Sequence, residues 1–312
     1  MSDPLDRLDT YDLVVAERRQ EADGVVSLLL RRPDGAPLPA WEAGAHIDLL
    51  LTEGVERQYS LCGGDAGSWR IAVLREQDGR GGSAHVHGEL QEGAAVRARG
   101  PRNHFRLEPA PAYRFVAGGI GITPIVPMLS AAAGQGAEWS LHYGGRSRAT
   151  MAFAEELTGR HPGGRVDIVE GLLDLPAVLA DLRPGELVYA CGPEPLLAAV
   201  EELVPAEALR TERFTPTATD TSGDTAFEVE LAACGRTLKV PADRTILATL
   251  QEAGVQVLYS CTEGTCGTCE TDVLAGEVDH RDSVLTAAER DANETMMVCV
   301  SRAKGERLTL DL

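Results

Sequence analysis

Lysine is nearly absent from this 312-residue chain: Lys239 and Lys304 are the only two among 29 basic residues. That bias carries no mechanism, but the shortage of positive charge does. The net charge of −19 argues against nucleic acid and anionic membrane as partners. No secretory leader is legible, because the opening MSDPLDRLDTYD is acidic and has no apolar core. One uncharged run, 115–137, is long enough to suggest a membrane span. Its five glycines and two prolines suit a buried strand, a glycine-rich turn and a core helix instead. The seven cysteines form no disulfide framework, which fits a reducing cytoplasm. The seven histidines are scattered without metal-ligand spacing, and there is no internal repeat.

What is present is an ordinary globular composition, 44% apolar and 25% charged, with a length that suggests two or three domains. Residues 1–110 alternate short apolar runs such as VVSLLLR, HIDLLL and WRIAVLR with Gly, Pro and Asp turns, the pattern of an antiparallel β-barrel. One short helix is expected there, from Ser83 to Leu90, with Ser83 as N-cap. Over 111–214, apolar strands alternate with helical stretches at 122–133, 151–158 and 194–203. That predicts a doubly wound α/β domain with ligands at the carboxyl ends of parallel strands. Residues 215–224, TPTATDTSGD, read as a linker. Residues 225–312 form a small α+β unit, and 220–312 hold 17 acidic but only 8 basic side chains.

The most specific signal is YSCTEGTCGTCE, residues 259–270. Cys261, Cys266 and Cys269 stand at C-x4-C-x2-C, and Cys299 follows with 29 residues intervening. This is the ligand spacing of a plant-type [2Fe–2S] ferredoxin, and Gly264 and Gly267 allow a loop to wrap the cluster and aim N–H groups at its sulfurs. A structural zinc site is the alternative, but Cys299 has no near Cys or His to complete a second knuckle.

Four weaker motifs precede it. In RQYSL, Arg57, Tyr59 and Ser60 end a barrel strand, where an aromatic and a hydroxyl can meet a flat ligand and the arginine a phosphate; an ordinary amphipathic strand reads the same way. GRGGS, with Gly81, Gly82 and Ser83 before a helix, suits a phosphate nest or a flexible turn. AGGIGITP follows a strand and opens a helix, so its glycines allow close approach to a pyrophosphate, although it is not GxGxxG. In YACGPEP, Cys191 ends another strand, facing a cofactor or simply filling the core.

In this order, and followed by a ferredoxin-type segment, these motifs resemble the phthalate dioxygenase reductase family, which includes the vanillate demethylase reductases. The likeness runs through RQYSLC, GRGGS, AGGIGITPI, LHYGGRSR, ACGPEPL, TERF, SCTEGTCGTCETDVLAGEVDHRD and VCVSRAK. It implies an FMN-binding barrel, an NAD domain and a β-grasp ferredoxin domain. Arg57, Tyr59 and Ser60 would contact the flavin, with Ser60 near N5, and Gly81, Gly82 and Ser83 would clasp its phosphate. Gly118, Gly119, Gly121 and Thr123 would form the nicotinamide–pyrophosphate turn. Cys191, Gly192 and Pro193 would lie by the nicotinamide, and Phe214 would stack on the flavin.

The resemblance further implies a reductase that passes electrons from NADH through FMN and the cluster to a separate terminal oxygenase. Arg146 and Arg148 in GGRSR also suit the 2′-phosphate of NADPH. A Rieske non-haem iron enzyme is the first choice of partner and a haem-thiolate monooxygenase the second. A non-catalytic electron-carrier subunit is the rival class. The expected protein is a cytoplasmic monomer.

Overall fold

A computed structural model describes residues 10–52, 55–77, 79–158, 164–216 and 221–312. They divide into two compact units that meet in sequence between Glu212 and Arg213. Part of the expected linker, 217–220, lies outside the described residues.

The first unit begins with β1 (Thr10–Ala22), β2 (Val25–Arg31), β3 (His46–Thr52), β4 (Val55–Asp65), β5 (Ser68–Leu74) and β6 (Ala95–Arg102). They close into a barrel in the order β1-β2-β5-β4-β3-β6, with antiparallel pairing throughout. Alternation decides which side chains go inside. Leu13 and Val15 of β1 meet Val26, Leu28 and Leu30 of β2, with Ile47, Leu49, Ile71 and Val73, in one buried core. Helix α1 (Gly82–Glu89) adds Val86 to it.

The same unit holds a parallel sheet of β7 (Ala112–Gly118), β8 (Glu138–Gly145), β9 (Gly164–Glu170), β10 (Leu187–Cys191) and β11 (Leu209–Glu212), in the order β11-β10-β7-β8-β9. The uncharged run at 115–137 is the end of β7, a tight turn and α2 (Ile122–Gly134). No helix among the described residues is long and apolar enough to cross a membrane. Tyr113, Phe115 and Ala117 pack in one cluster with Ile122, Ile125 and Met128 of α2. Val116, of opposite parity, packs in another with Leu175 and Leu179 of α4 (Leu175–Leu179) and Leu197 and Val200 of α5 (Glu194–Leu203). The expected helix over 151–158 is only α3 (Ala154–Leu157), because Arg148–Thr150 make a 3-10 turn and Phe153 takes a left-handed φ of 59°. The last strand stops at Glu212.

Barrel and sheet are bolted together. The Tyr189 hydroxyl donates to Arg106 O and accepts from Glu108 N, both at 2.8 Å. Arg70 lies 4.7 Å from the Phe153 ring centre, bonded to Glu21 at 2.8 Å.

The second unit is the expected β-grasp. It contains β12 (Phe227–Leu231), β13 (Arg236–Val240), α6 (Ile246–Glu252), β14 (Glu270–Ala275), β15 (Val278–Asp279), α7 (Ala287–Ala292), β16 (Thr295–Met297), β17 (Arg302–Ala303) and β18 (Arg307–Leu310). The main sheet runs β13-β12-β18-β14-β16, with β15 and β17 paired apart. Thr245 caps α6 through Ala248 N at 3.1 Å, and Ile246, Leu247 and Leu250 face the core.

Arg114, 8% exposed, binds Glu186, 5% exposed, through Nε–Oε1 at 3.0 Å, and Asp181 at 2.9 Å. Removing it leaves a buried carboxylate without its partner. Arg114→Leu should lower the stability of this unit by about 3–5 kcal/mol in thermal or urea unfolding, and adding Glu186→Leu should recover most of the loss.

Candidate functional site

Arg57, Tyr59 and Ser60 lie together on β4. The Arg57 guanidinium donates to Glu56 O at 2.7 Å and to Arg80 O at 3.3 Å. A methyl group on Gly82 would sit 2.6 Å from Arg57 Cγ, so the bare glycine is what lets the arginine lie against the start of α1. Gly81 is the N-cap, at a left-handed φ of 86° with open space beside it. An uncapped helix N-terminus next to a guanidinium suits a phosphate. Ser83 is not the cap that was expected: it lies inside α1, and its hydroxyl accepts from Glu76 N at 3.1 Å. Burial pushes the Tyr59 phenol up, against the pull of Arg57, so it stays neutral.

The carboxyl edge of the parallel sheet is built by close backbone contact. A Cβ on Gly121 would sit 2.3 Å from Cys191 O, and one on Gly118 would be 2.8 Å from Pro193 Cδ. A Cβ on Gly192 would meet Gly118 Cα at 3.0 Å. Most of these glycines therefore press the AGGIG and CGP turns together. Gly119 differs: its φ is 55° and nothing lies near its missing side chain, so its face of the turn is open. The Thr123 hydroxyl closes the turn on Ile120 O at 3.0 Å. Cys191 is fully buried, and burial holds its thiol well above the ordinary range, so it remains protonated. Arg148 is occupied by Ala154 O at 3.0 Å, whereas Arg146 is exposed. Phe214 belongs to the second unit and is 45% exposed.

Sequence reasoning missed Glu212. Its carboxylate oxygen accepts from Ser60 Oγ at 3.4 Å, joining a barrel strand to the last strand of the sheet. The residue keeps some surface, but its carboxyl is enclosed, and burial pushes the group up to about 8, opposed by the Ser60 hydrogen bond. An acidic residue at the carboxyl end of a parallel strand was the signal available.

In the second unit, Cys266, Cys269 and Cys299 are buried and Cys261 is part-exposed. Cys261 Sγ meets the thiols of Cys266 and Cys299, and Cys299 meets Cys269. Cys261 Sγ accepts from Glu263 N and Thr265 N, both at 3.4 Å, and Cys266 Sγ from Cys261 N at 3.5 Å. Thr268 Oγ1 lies 3.1 Å from Cys266 Sγ. Hydrogen bonds from the neighbouring thiols, then from these N–H groups, hold Cys261 well below the ordinary thiol range. One sulfur held toward its thiolate, Cys261, and backbone N–H donors aimed at Cys261 and Cys266 fit an anionic iron–sulfur cluster.

Two outcomes follow from this geometry. Hydrogen bonds to cluster sulfur favour the reduced, more negative state, so Thr268→Val should shift the cluster potential negative by about 30–60 mV, while Thr268→Ser should hold it in a redox titration. For Glu212, the folded carboxyl binds its proton more tightly than the unfolded chain does. Its contribution to stability is therefore unpenalised below about pH 4.5 and declines as pH rises toward about 8. Glu212→Gln should flatten that decline in melting curves taken from pH 5 to 9.

Residues 229–304 match the 2Fe-2S iron-sulfur cluster binding domain. The phenoxybenzoate dioxygenase subunit beta of Ectopseudomonas oleovorans is 46% identical over 303 residues, covering 93% of this chain and 94% of that protein. An intact type IV self-sufficient cytochrome P450 monooxygenase matches with a TM-score of 0.90 at 45% identity. The match takes in 97% of this chain but 41% of that one, so this chain spans about two fifths of its length. The structure of phthalate dioxygenase reductase, a modular structure for electron transfer from pyridine nucleotides to [2Fe–2S], matches with a TM-score of 0.70 at 37% identity over the whole of both chains. With identity of this order running end to end, the chain belongs to the phthalate dioxygenase reductase family.

Proposed function

We propose that this chain takes a hydride from NADH at the carboxyl edge of its parallel sheet and delivers electrons, through FMN and its [2Fe–2S] cluster, to a separate Rieske-type terminal oxygenase. The observation that carries this is the Ser60–Glu212 contact at 3.4 Å. It ties the barrel strand bearing Arg57 and Tyr59 to the last strand of the sheet whose edge bears Gly119 and Cys191. We assign 1–110 to the flavin domain, 111–214 to the NAD domain, 215–224 to the linker and 225–312 to the ferredoxin domain.

Bound FMN supplies the conversion of a two-electron hydride into single electrons, which a one-electron cluster requires. The chain's residues do the rest. Arg57 and the start of α1 would hold the phosphate. Gly119 would admit the pyrophosphate of the dinucleotide. Ser60 donates to Glu212, whose proton is retained at neutral pH, so no carboxylate charge opposes the negative charge arriving from the hydride. The buried, protonated Cys191 offers a small uncharged surface and excludes water. The four cysteines would ligate the cluster. Because Arg148 is committed to Ala154 O, Arg146 is the one arginine of GGRSR left for a 2′-phosphate, which favours NADH.

A haem-thiolate partner is the second reading, favoured by the TM-score of 0.90 and 45% identity to the self-sufficient P450 structure. Exposed Glu270 and Asp272, next to the last ligand of the loop, call for a basic docking surface on either partner and for turnover that falls with salt. Anaerobic NADH should bleach the flavin and then reduce a one-electron acceptor such as cytochrome c. Cys266→Ser should leave the bleaching intact and abolish the acceptor reduction. Retained cluster absorption in that variant would overturn the ligand set, and absence of bleaching in the wild type would favour a carrier subunit. Turnover with a Rieske oxygenase but not with a haem-thiolate enzyme should separate the two partners.

A further inference from the structure

The segment His280–Asp282 is accounted for neither by the proposed flavin and nucleotide residues nor by the cluster ligands. Arg281 grips Asp224 with both arms of its guanidinium, Nη1–Oδ2 at 3.0 Å and Nη2–Oδ1 at 2.6 Å. Arg302, three residues after Cys299, brings its Nε to 3.5 Å from the same carboxylate and donates to Thr225 O at 3.0 Å. Asp279 accepts from Arg281 Nε at 2.7 Å, so two acids and two arginines balance. The side chains of Asp224, Arg281 and Arg302 are 10%, 12% and 6% exposed. Gathering charges away from water is unfavourable unless geometry compensates, and such clusters are best understood as fixing register. The exposed Arg307–Glu228 pair does no comparable work.

Asp224 is the last residue of the linker. The residue after Arg281, Asp282, is buried, and its Oδ2 accepts from Val284 N at 3.0 Å and Leu285 N at 2.8 Å. Ser283 N then donates to Gly264 O at 2.8 Å, inside the loop between Cys261 and Cys266. A Cβ on Gly264 would lie 3.0 Å from Asp282 Cα. Of three consecutive residues, Arg281 thus holds the linker, Asp282 fixes the turn packed on Gly264, and Ser283 holds the cluster loop.

We propose that the Asp224–Arg281–Arg302 clasp is a positioning device for electron transfer, fixing the point where the linker leaves the ferredoxin unit beside the cluster loop. The proposal rests on the functional reading above. A tether makes the encounter of two sites intramolecular, with an effective concentration set by its length and attachment. With the clasp shut, the linker is anchored at Asp224. With it open, the first residue held by a strand is Phe227, which lowers the effective concentration about 1.5-fold by length alone and releases the linker's direction as well. The step affected is the transfer of one electron, lost on the flavin side and gained at a ferric iron of the cluster. The clasp carries none of it.

The test uses the full-length holoprotein mixed anaerobically with NADH. Asp224→Arg opposes both arginines and should open the clasp. Flavin bleaching and the shape of the cluster's EPR signal should be unchanged, while the flavin-to-cluster rate should fall at least about twofold. The swapped pair, Asp224→Arg with Arg281→Asp, should restore it. Inserting Gly and Ser residues within 215–223, with the clasp intact, should slow the same step. Should Asp224→Arg fail to assemble its cluster, Arg281→Gln carries the same comparison. A transfer rate per cluster equal to wild type in the opened variants would leave the clasp as structural glue and overturn the proposal. Wild-type protein that does not bleach with NADH would instead overturn the functional reading, and the positioning role with it.

Discussion

Two strand ends pressed together at backbone distance govern the first unit. Only hydrogen fits at position 121, because any β-carbon would enter the Cys191 carbonyl. The turn after β7 and the turn after β10 are therefore one object, although about seventy residues separate them in sequence. Once they are locked, Cys191 has no solvent, Thr123 closes the turn, and the last strand ends with Glu212 facing the barrel. The Tyr189 hydroxyl, holding Arg106 and Glu108, carries the same constraint across to the barrel side.

The two redox stations are kept in opposite electrical states. Around β4 and the sheet edge, Tyr59, Cys191 and Glu212 are all pushed toward their neutral forms, and burial is the leading cause each time. Around the cysteine loop, N–H groups and a threonine hydroxyl turn toward sulfur and favour negative charge. A hydride arrives as a negatively charged species and is best received where no other anion competes. A cluster that must hold an extra electron needs donors already in place.

Much of this was legible from spacing. The cysteine pattern, the βα alternation and the small α+β unit at the end follow from local sequence, and the β-grasp from the family resemblance. What escaped was set by contacts across the chain. Ser60 and Glu212 are 152 positions apart, and no window of sequence joins them. Ser83 looked like a cap because serine caps well, but Gly81, able to adopt a left-handed φ, starts the helix two residues earlier. The helix over 151–158 had the right composition and lost its first turn to the backbone at Phe153. The glycines of AGGIG were read as allowing close approach of a pyrophosphate. For Gly118 and Gly121, however, what approaches is the neighbouring turn of the same chain.

Both lysines sit on the ferredoxin unit, exposed: Lys239 on β13, and Lys304 paired to Glu277 at 2.7 Å. Apart from the α-amino group, amine-directed chemistry can reach the molecule nowhere else. A lysine-directed crosslinker or electrode surface will therefore seize this protein by the domain that releases its electrons, with no lysine on the flavin and nucleotide unit to hold.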